Sequence, residues 1–272
     1  MLPALSKTMP SVDCHFHVFA AQSAVAGARY QPAYEASLAS WMQAASGNGI
    51  GRGVLVQTSF MGTDNCALLA ALSAAGERLR GVAVLNLSTD AAQLPLLHRQ
   101  GVRGIRLNLL GRNHDVSAWG VEAGAMWEGL AALGWHVEIH TDTGALPTVL
   151  AHIPAALPVV LDHFARPFQA SAHDATVRAV AARARSSAVH IKLSGAYRLG
   201  AVSPKELARI WLQELGPEQL LWGSDWPCTN HESQANYPAL FAALHSWVDS
   251  EAQAQQILQS NPQRLYWGEP GG

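Results

Sequence analysis

Short β-branched segments alternate with helical segments along the whole chain. The pattern predicts strands near residues 12–17, 52–57, 81–86, 102–108, 135–140, 158–163, 189–194 and 219–225. It predicts helices over residues 38–45, 65–75, 91–100, 126–133, 146–152, 174–186, 204–215 and 237–258. Glycines at expected helix ends, such as Gly76, Gly134 and Gly216, support these limits independently. Such alternation is typical of parallel strands joined by crossover helices.

Eight strand–helix units in a chain of 272 residues match the usual size of a (β/α)8 TIM barrel. No Ser- or Pro-rich linker and no shift in composition divides the chain, so residues 1–272 are expected to form a single α/β domain. At 49% hydrophobic residues, the chain is able to bury a large core. A doubly wound open sheet is the alternative, but it usually carries a glycine-rich phosphate loop after an early strand, and this sequence has none.

Charge and hydropathy argue against several kinds of partner. The formal net charge is −2 and basic residues form no cluster, which disfavours nucleic acid. No apolar run reaches the roughly 18 residues of a membrane span, and the N-terminus lacks the pattern of a secretory signal. We therefore expect a cytoplasmic protein without a membrane partner, either a monomer or a homo-oligomer. Three cysteines without paired spacing, Cys14, Cys66 and Cys228, argue against a disulfide framework or a thiolate zinc cluster.

The first strand carries two histidines, His15 and His17, at positions i and i+2. On a regular strand this spacing directs both imidazoles to one side, with Asp13 below them and with Cys14 and Phe16 on the other side. Paired imidazoles suit either metal ligation or polarisation of a substrate carbonyl. The alternative is an exposed polar face, although the flanking valines indicate burial.

Further ionisable residues end other strands. Asp225 follows the eighth apolar segment, which is the neighbour of the first strand in a closed barrel. A general base towards water is its expected role, and a helix N-cap is the alternative. His140 and His163 end the fifth and sixth strands. Either could join the histidine pair, and a structural histidine bonded to the backbone is the alternative for each.

Four arginines lie at or after strand ends: Arg106, Arg112, Arg166 and Arg198. They stand out because only 14% of the residues are charged. Guanidinium groups pair bidentately with carboxylates, so arginines that meet at one edge of a barrel predict a small, multiply carboxylated substrate. A solubility role is the alternative for any one of them and is weaker for all four together. The spacing leaves the direction of Lys192 open.

Several segments together resemble the amidohydrolase superfamily, in its branch of 2-pyrone-4,6-dicarboxylate lactonases. They run in order over nearly the whole chain: VDCHFHVF (12–19), VQTS (56–59) with GTDN (62–65), VRGIRLN (102–108), DHFARP (162–167), KLSG (192–195) and WGSDWP (222–227). The resemblance implies a distorted (β/α)8 barrel. It also implies hydrolysis of a carboxylated lactone by water, without a required metal or other cofactor.

The resemblance assigns roles to particular positions of this chain. Three histidines are expected to polarise the lactone carbonyl: His15, His17 and His163. Asp225 is expected to accept a proton from the attacking water. The groups expected to hold substrate carboxylates are Tyr30, Ser59, Arg106, Arg112, Arg166 and Arg198.

His140 departs from the pattern of this branch, whose members place a tyrosine at the end of the fifth strand. We expect His140 to lie beside the substrate. Metal-dependent relatives keep a histidine ligand there, so a zinc-dependent hydrolase or decarboxylase is the alternative, with the ion held by His15, His17, His140 and Asp225. A third hypothesis is a non-catalytic barrel that binds anions. The particular lactone stays open, and aldonolactones and sulfonated muconolactones are also candidates.

Overall fold

The structure, a computed structural model, describes residues 9–111 and 116–268. Within these ranges eight strands form one sheet, in which the strand order follows the chain and each neighbouring pair is parallel. The strands are β1 (Ser11–Phe16), β2 (Ile50–Val56), β3 (Leu79–Ala83), β4 (Val102–Asn108), β5 (His136–His140), β6 (Val159–Leu161), β7 (Val189–Leu193) and β8 (Leu220–Trp222). The predicted (β/α)8 barrel is confirmed.

Helices connect the strands. They are α1 (Leu38–Ser46), α2 (Cys66–Ala75), α3 (Leu94–Arg99), α4 (Trp119–Glu122), α5 (Gly124–Ala132), α6 (Leu146–Leu150), α7 (Ala175–Ala184), α8 (Pro204–Leu215), α9 (Tyr237–Trp247) and α10 (Glu251–Gln255). Ser37, Asp174 and Ser203 cap α1, α7 and α8 by accepting from a backbone N–H of the first turn. Of the helices in the described ranges, none has the length and apolar composition that crossing a bilayer requires.

The prediction of one helix over residues 237–258 is wrong. The chain leaves helical geometry after α9, because Val248 is extended, with φ −109° and ψ 160°. Ser250 is extended as well, and its side chain accepts from the backbone N–H of Gln253. A serine in this position is a helix N-cap, so α10 begins as a separate helix. Two π-helical segments follow, Gln256–Ser260 and Gln263–Trp267.

The core has an inner and an outer layer. The inner layer fills the barrel and consists of Val12, Cys14, Val54, Val56, Val82, Val160, Leu221 and Tyr266. The larger outer layer packs the strands against the helices and includes the buried Trp41, Trp135, Trp211 and Trp222. Filled interiors of this kind are typical of (β/α)8 barrels, whose active sites lie at the carboxyl ends of the strands.

The barrel closes between β1 and the segment that follows β8. The N–H of Asp225 donates to the His15 carbonyl over 2.8 Å, and the N–H of His17 donates to the Trp226 carbonyl over 2.9 Å. Gly223 permits this close approach, because a Cβ there would lie 2.5 Å from the Cβ of His15. The sequence pattern predicts Asp225 at the end of the eighth strand. In the structure β8 ends at Trp222, so Asp225 lies beyond the strand.

β1 contains an irregularity that the sequence does not reveal. Asp13 pairs with Gly53 and Phe16 pairs with Leu55, so β1 has one more residue than β2 between these points. This is the pattern of a β-bulge, which changes the direction of the following side chains. Asp13 and Phe16 therefore both reach Trp41 of α1, through a 3.0 Å hydrogen bond and through ring stacking at 3.8 Å respectively.

Because of the bulge, the predicted direction of Asp13 is wrong, whereas His15 and His17 point to one side as predicted. Asp13 does not lie below the histidine pair on the same side, because it turns outward to the helices, whereas Cys14 packs in the inner layer. His15 and His17 still point the same way, and a ring nitrogen of each faces Asp225. The histidine pair thus lies at the carboxyl ends of the barrel strands.

Candidate active site

An open cavity lies at the carboxyl ends of the strands. Its wall is formed by His17, Arg29, Tyr30, Thr58, Ser59, Phe60, Arg106, Asn108, Leu110, His140, His163, Arg198, Asp225, Thr229 and Asn230. Eight of the side chains predicted for the site are therefore on one wall: His17, Tyr30, Ser59, Arg106, His140, His163, Arg198 and Asp225. His15 is buried beside them, whereas the predicted Arg112 lies outside the described residues.

Three histidines surround the carboxylate of Asp225. Nε2 of His17 lies 3.3 Å from Oδ1, and Nε2 of His15 lies 3.6 Å from the same oxygen. Nε2 of His163 lies 3.9 Å from Oδ2. The three histidines predicted to be catalytic therefore converge on Asp225, although the four residues come from distant parts of the chain.

Asp225 is also held from the far side. Its Oδ2 accepts a hydrogen bond from the Tyr197 hydroxyl over 2.7 Å and from Nε of Arg198 over 2.9 Å. Burial alone would raise the pKa of Asp225, but the Arg198 guanidinium and the neighbouring histidines hold it well below its ordinary value. The carboxylate is thus ionised, and Oδ1 is left facing His15 and His17.

His163 stands on a strained turn. Residues 163–166 all have positive φ, between 46° and 60°, and none is glycine. Left-handed backbone costs such residues roughly 1–2 kcal/mol each. The turn is enforced by the buried Phe164, whose carbonyl accepts from Nε1 of Trp211 over 3.1 Å, and by the 3.0 Å contact of His163 Nδ1 with Ser194 Oγ. Strain of this kind persists where the surrounding structure imposes a functional geometry.

A network of buried charges lies beneath the cavity. Oδ2 of Asp162 accepts from Nε and Nη2 of Arg106, over 3.2 and 3.0 Å. Lys192 donates to Glu138, and both side chains are fully buried, so Lys192 points into the barrel. Burial would raise the pKa of Asp162, but the buried cations of Arg106 and Lys192 hold it well below its ordinary value. Burial, followed by the charge of Asp162, raises the pKa of Glu138.

His140 packs against His163, with the ring centroids 4.6 Å apart and the rings nearly perpendicular. Burial lowers the pKa of His140 well below its ordinary value. Arg166 lies behind His140: its Nη1 donates to the Thr141 carbonyl over 3.1 Å and is 3.5 Å from His140 Nε2. Within the described ranges, Arg166 is not part of the cavity wall.

The mouth of the cavity contains residues that the sequence did not single out. Arg29 lines it beside Tyr30, and Asn108 follows Arg106 on β4. The hydroxyl of Tyr30 donates to Glu232 Oε1 over 2.8 Å, and that of Tyr34 donates to the same oxygen over 2.6 Å. Arg29 belongs to no strand or periodic motif, and proximity to Tyr30 in the sequence is the only signal that would have suggested it.

Two groups of donor atoms have spacings that suit a metal ion, each with its atoms within 4.8 Å of one another. They are His15 with His17 and Asp225, and His15 with Asp162 and His163. Nitrogen and carboxylate ligands of this kind are those that zinc accepts, so the residues fit such an ion. Among the described residues, His140 belongs to neither group.

Comparison with known proteins places these residues in a family. The profile of the family described as Amidohydrolase matches residues 12–267. The chain is 32% identical over 280 aligned residues to a 2-pyrone-4,6-dicarboxylate hydrolase of Comamonas testosteroni, covering 95% of this chain and 90% of the relative. It is 28% identical over 269 residues to a 4-sulfomuconolactone hydrolase of Rhizobium radiobacter, covering 93% and 89%.

The fold agrees with the sequence matches. The crystal structure of a probable 2-pyrone-4,6-dicarboxylic acid hydrolase from Acinetobacter baumannii, with citric acid bound, matches with a TM-score of 0.86 and 32% identity. The match covers 95% of this chain and 100% of that structure. Since the profile match runs from the first strand to the last helical segment, this chain belongs to the amidohydrolase family.

Proposed function

We propose that this protein hydrolyses a carboxylated lactone, 2-pyrone-4,6-dicarboxylate or a close analogue, and opens the ring to a polycarboxylic acid. The observation that carries this proposal is the ionised Asp225 beside His15, His17 and His163, on the wall of a cavity that also contains arginines. Relatives named as lactone hydrolases support it. The citric acid bound to the Acinetobacter protein is also a multiply carboxylated ligand.

In this proposal Asp225 is the general base. Water attacks the ring carbonyl carbon and gives a proton to Asp225, and the carbonyl oxygen becomes an oxyanion that the histidine N–H groups stabilise. The tetrahedral intermediate then collapses with cleavage of the ring C–O bond. The proton held by Asp225 passes to the departing ring oxygen, so that the enzyme returns to its starting state.

His17 has a defined orientation for this role. Its Nδ1 lies 2.7 Å from the Val56 carbonyl and therefore carries a hydrogen that it donates to that oxygen. Its Nε2 faces Oδ1 of Asp225 at 3.3 Å. His17 therefore lies on the cavity wall beside the proposed general base.

The arrangement also favours a second candidate, a zinc-dependent hydrolase. His15, His17 and Asp225 would hold the ion, which would lower the pKa of a bound water. The surrounding charge opposes it, because among the described residues the carboxylates of Asp225, Asp162 and Glu138 face the cations of Arg198, Arg106 and Lys192. We therefore propose that no metal is required.

A turnover screen tests the function and the metal requirement together. Purified protein is assayed on lactones with no, one and two carboxylates, with and without a chelator, and its metal content is measured. We expect the dicarboxylated lactone to be hydrolysed fastest, with no loss on chelation and no stoichiometric zinc. About one zinc per chain, with activity lost on its removal and regained on its return, would establish the zinc enzyme instead. Binding of carboxylates without any turnover would identify a non-catalytic anion-binding barrel.

We propose that Arg29 recognises a substrate carboxylate, since it lines the mouth of the cavity. Arg29→Met is expected to raise KM for a dicarboxylated lactone about tenfold, because a hydrogen bond to a charged group contributes roughly 1.5–3 kcal/mol and an exposed site lies at the low end. KM for a neutral lactone should change little. Arg99→Met, at an exposed residue of α3, controls for the loss of one positive charge. Equal increases in KM for both lactones would show that Arg29 does not recognise a substrate carboxylate.

A further inference from the structure

The two ring nitrogens of His15 face different surroundings. Nε2 is directed to Oδ1 of Asp225, at 3.6 Å, on the side of the cavity. Nδ1 is directed to the buried charges below, where Nζ of Lys192 lies 3.3 Å away in hydrogen-bonding geometry. A neutral imidazole ring carries one proton, on either Nδ1 or Nε2. The nitrogen that holds this proton decides whether His15 can donate to a ligand.

We propose that Lys192 is a positioning residue that sets the tautomer of His15, with Nδ1 accepting from the lysine and Nε2 carrying the proton. An ammonium group has donors and no acceptor, so a hydrogen bond between the two requires a lone pair on Nδ1. The remaining proton then lies on Nε2, on the side of the cavity. The catalytic consequence of this inference rests on the proposed function, in which His15 donates to the lactone carbonyl.

Glu138 keeps Lys192 in place for this contact. Both side chains are fully buried, and Nζ donates to Oε2 of Glu138 while it approaches His15. The ammonium is also 3.7 Å from Oδ1 of Asp162. A lysine with carboxylates on two sides is held in one position, and its charge stands directly behind the imidazole in a region of low dielectric.

Two carboxylates compete with Lys192 for Nδ1: Glu138, whose Oε1 lies 3.5 Å from it, and the nearer Asp162. Its Oδ1 lies 3.1 Å from that nitrogen and would favour the opposite tautomer, with the proton on Nδ1. This oxygen, however, receives no hydrogen bond of acceptable geometry from any residue within 9–111 and 116–268. The other oxygen, Oδ2, is already bound by two nitrogens of Arg106. The geometry therefore favours Lys192 as the group that bonds to Nδ1.

The tautomer has two consequences for chemistry at the site. A proton on Nε2 makes His15 a preorganised donor to a developing oxyanion, and the positive charge of Lys192 behind the ring strengthens that donor. The same proton occupies the lone pair through which Nε2 would bind a metal ion. One buried lysine thus favours carbonyl polarisation by His15 over metal ligation by His15.

The test compares wild type with Glu138→Gln and with the double variant Lys192→Met/Glu138→Gln. The double variant removes both members of the buried pair, because a single Lys192→Met would leave an unpaired carboxylate and destabilise the fold. Glu138→Gln is the matched control, since it loses the same carboxylate and keeps the ammonium. Thermal unfolding establishes that each variant is folded.

Two measurements follow on these proteins. Long-range 15N–1H correlation spectra of [15N]histidine-labelled protein without ligand identify the protonated nitrogen of His15, whose signals are assigned by their loss in His15→Gln. Wild type and Glu138→Gln are expected to show the proton on Nε2, and the double variant is expected to move it wholly or partly to Nδ1. The double variant is expected to lower kcat for the lactone roughly 10²-fold, the size of the loss of one oxyanion donor, with KM nearly unchanged.

A proton on Nδ1 of His15 in wild type would overturn the inference, and this measurement does not depend on the folding of any variant. The proton remaining on Nε2 in the folded double variant would overturn it as well. The spectra are recorded without substrate, so they judge the tautomer even if no lactone is hydrolysed. Absence of turnover by wild type would refute the proposed function alone.

Discussion

Asp225→Asn is expected to leave the fold intact and to lower kcat about 10²–10⁴-fold, the usual contribution of a general base. The amide cannot accept the proton of the attacking water. It is nearly isosteric with the carboxylate, so its carbonyl can still accept from the Tyr197 hydroxyl or from Nε of Arg198. Steady-state kinetics on the folded variant measure the effect, and KM should change far less than kcat.

The matched control is Asp249→Asn, which makes the same chemical change at an exposed residue between α9 and α10. It should retain the kinetics of wild type. If Asp225→Asn instead turned over the lactone at a rate close to wild type, Asp225 would not be the base. A loss of activity accompanied by a lower melting temperature would need correction for the unfolded fraction, which unfolding curves provide.

Asp13→Ala is expected to reduce the free energy of unfolding by about 3–5 kcal/mol, because each buried donor left without a partner costs about 1–3 kcal/mol and relaxation recovers part of the sum. The carboxylate accepts five hydrogen bonds from described residues. The donors are the N–H groups of His15 and Ser224, the Ser224 hydroxyl, Nε1 of Trp41 and the Tyr237 hydroxyl, at 2.6 to 3.1 Å. Asp13 thus ties the bulge of β1 to the segment after β8 and to two outer helices.

Equilibrium unfolding in urea measures this change, with Asp249→Ala as the exposed control. The midpoint of Asp13→Ala should fall strongly and that of the control should stay near wild type. A loss below about 1 kcal/mol would mean that water replaces the carboxylate and that the barrel joint does not depend on it.

Much of the site follows from local sequence patterns. The i, i+2 spacing places His15 and His17 on one side, and the position of Asp225 after the eighth apolar segment places it next to them once the barrel closes. These inferences hold because they need only the period of a strand and the order of strands in a closed barrel. His163 and His140 reach the same cavity for the same reason.

The partners of the arginines could not be predicted from local sequence patterns. All four were expected to face a carboxylated substrate, but Nε of Arg198 is bonded to Asp225 and Arg106 is bonded to Asp162. A guanidinium group pairs with any carboxylate that lies near it, and the sequence does not reveal which carboxylate the fold places beside each arginine. The roles of all four arginines in binding substrate, Arg106, Arg112, Arg166 and Arg198, stay predictions.

The sequence by itself determined the barrel, the chain order of its strands and the ionisable residue types at their ends, because these depend on short-range periodicity and on motifs. Only the tertiary structure decided the outward turn of Asp13, the partners of the arginines and the contact between Lys192 and His15. That contact joins residues 177 positions apart in the chain. A bulge depends on the pairing of two strands, and a buried charge depends on every element that surrounds it. Neither is encoded in the neighbours of a residue along the sequence.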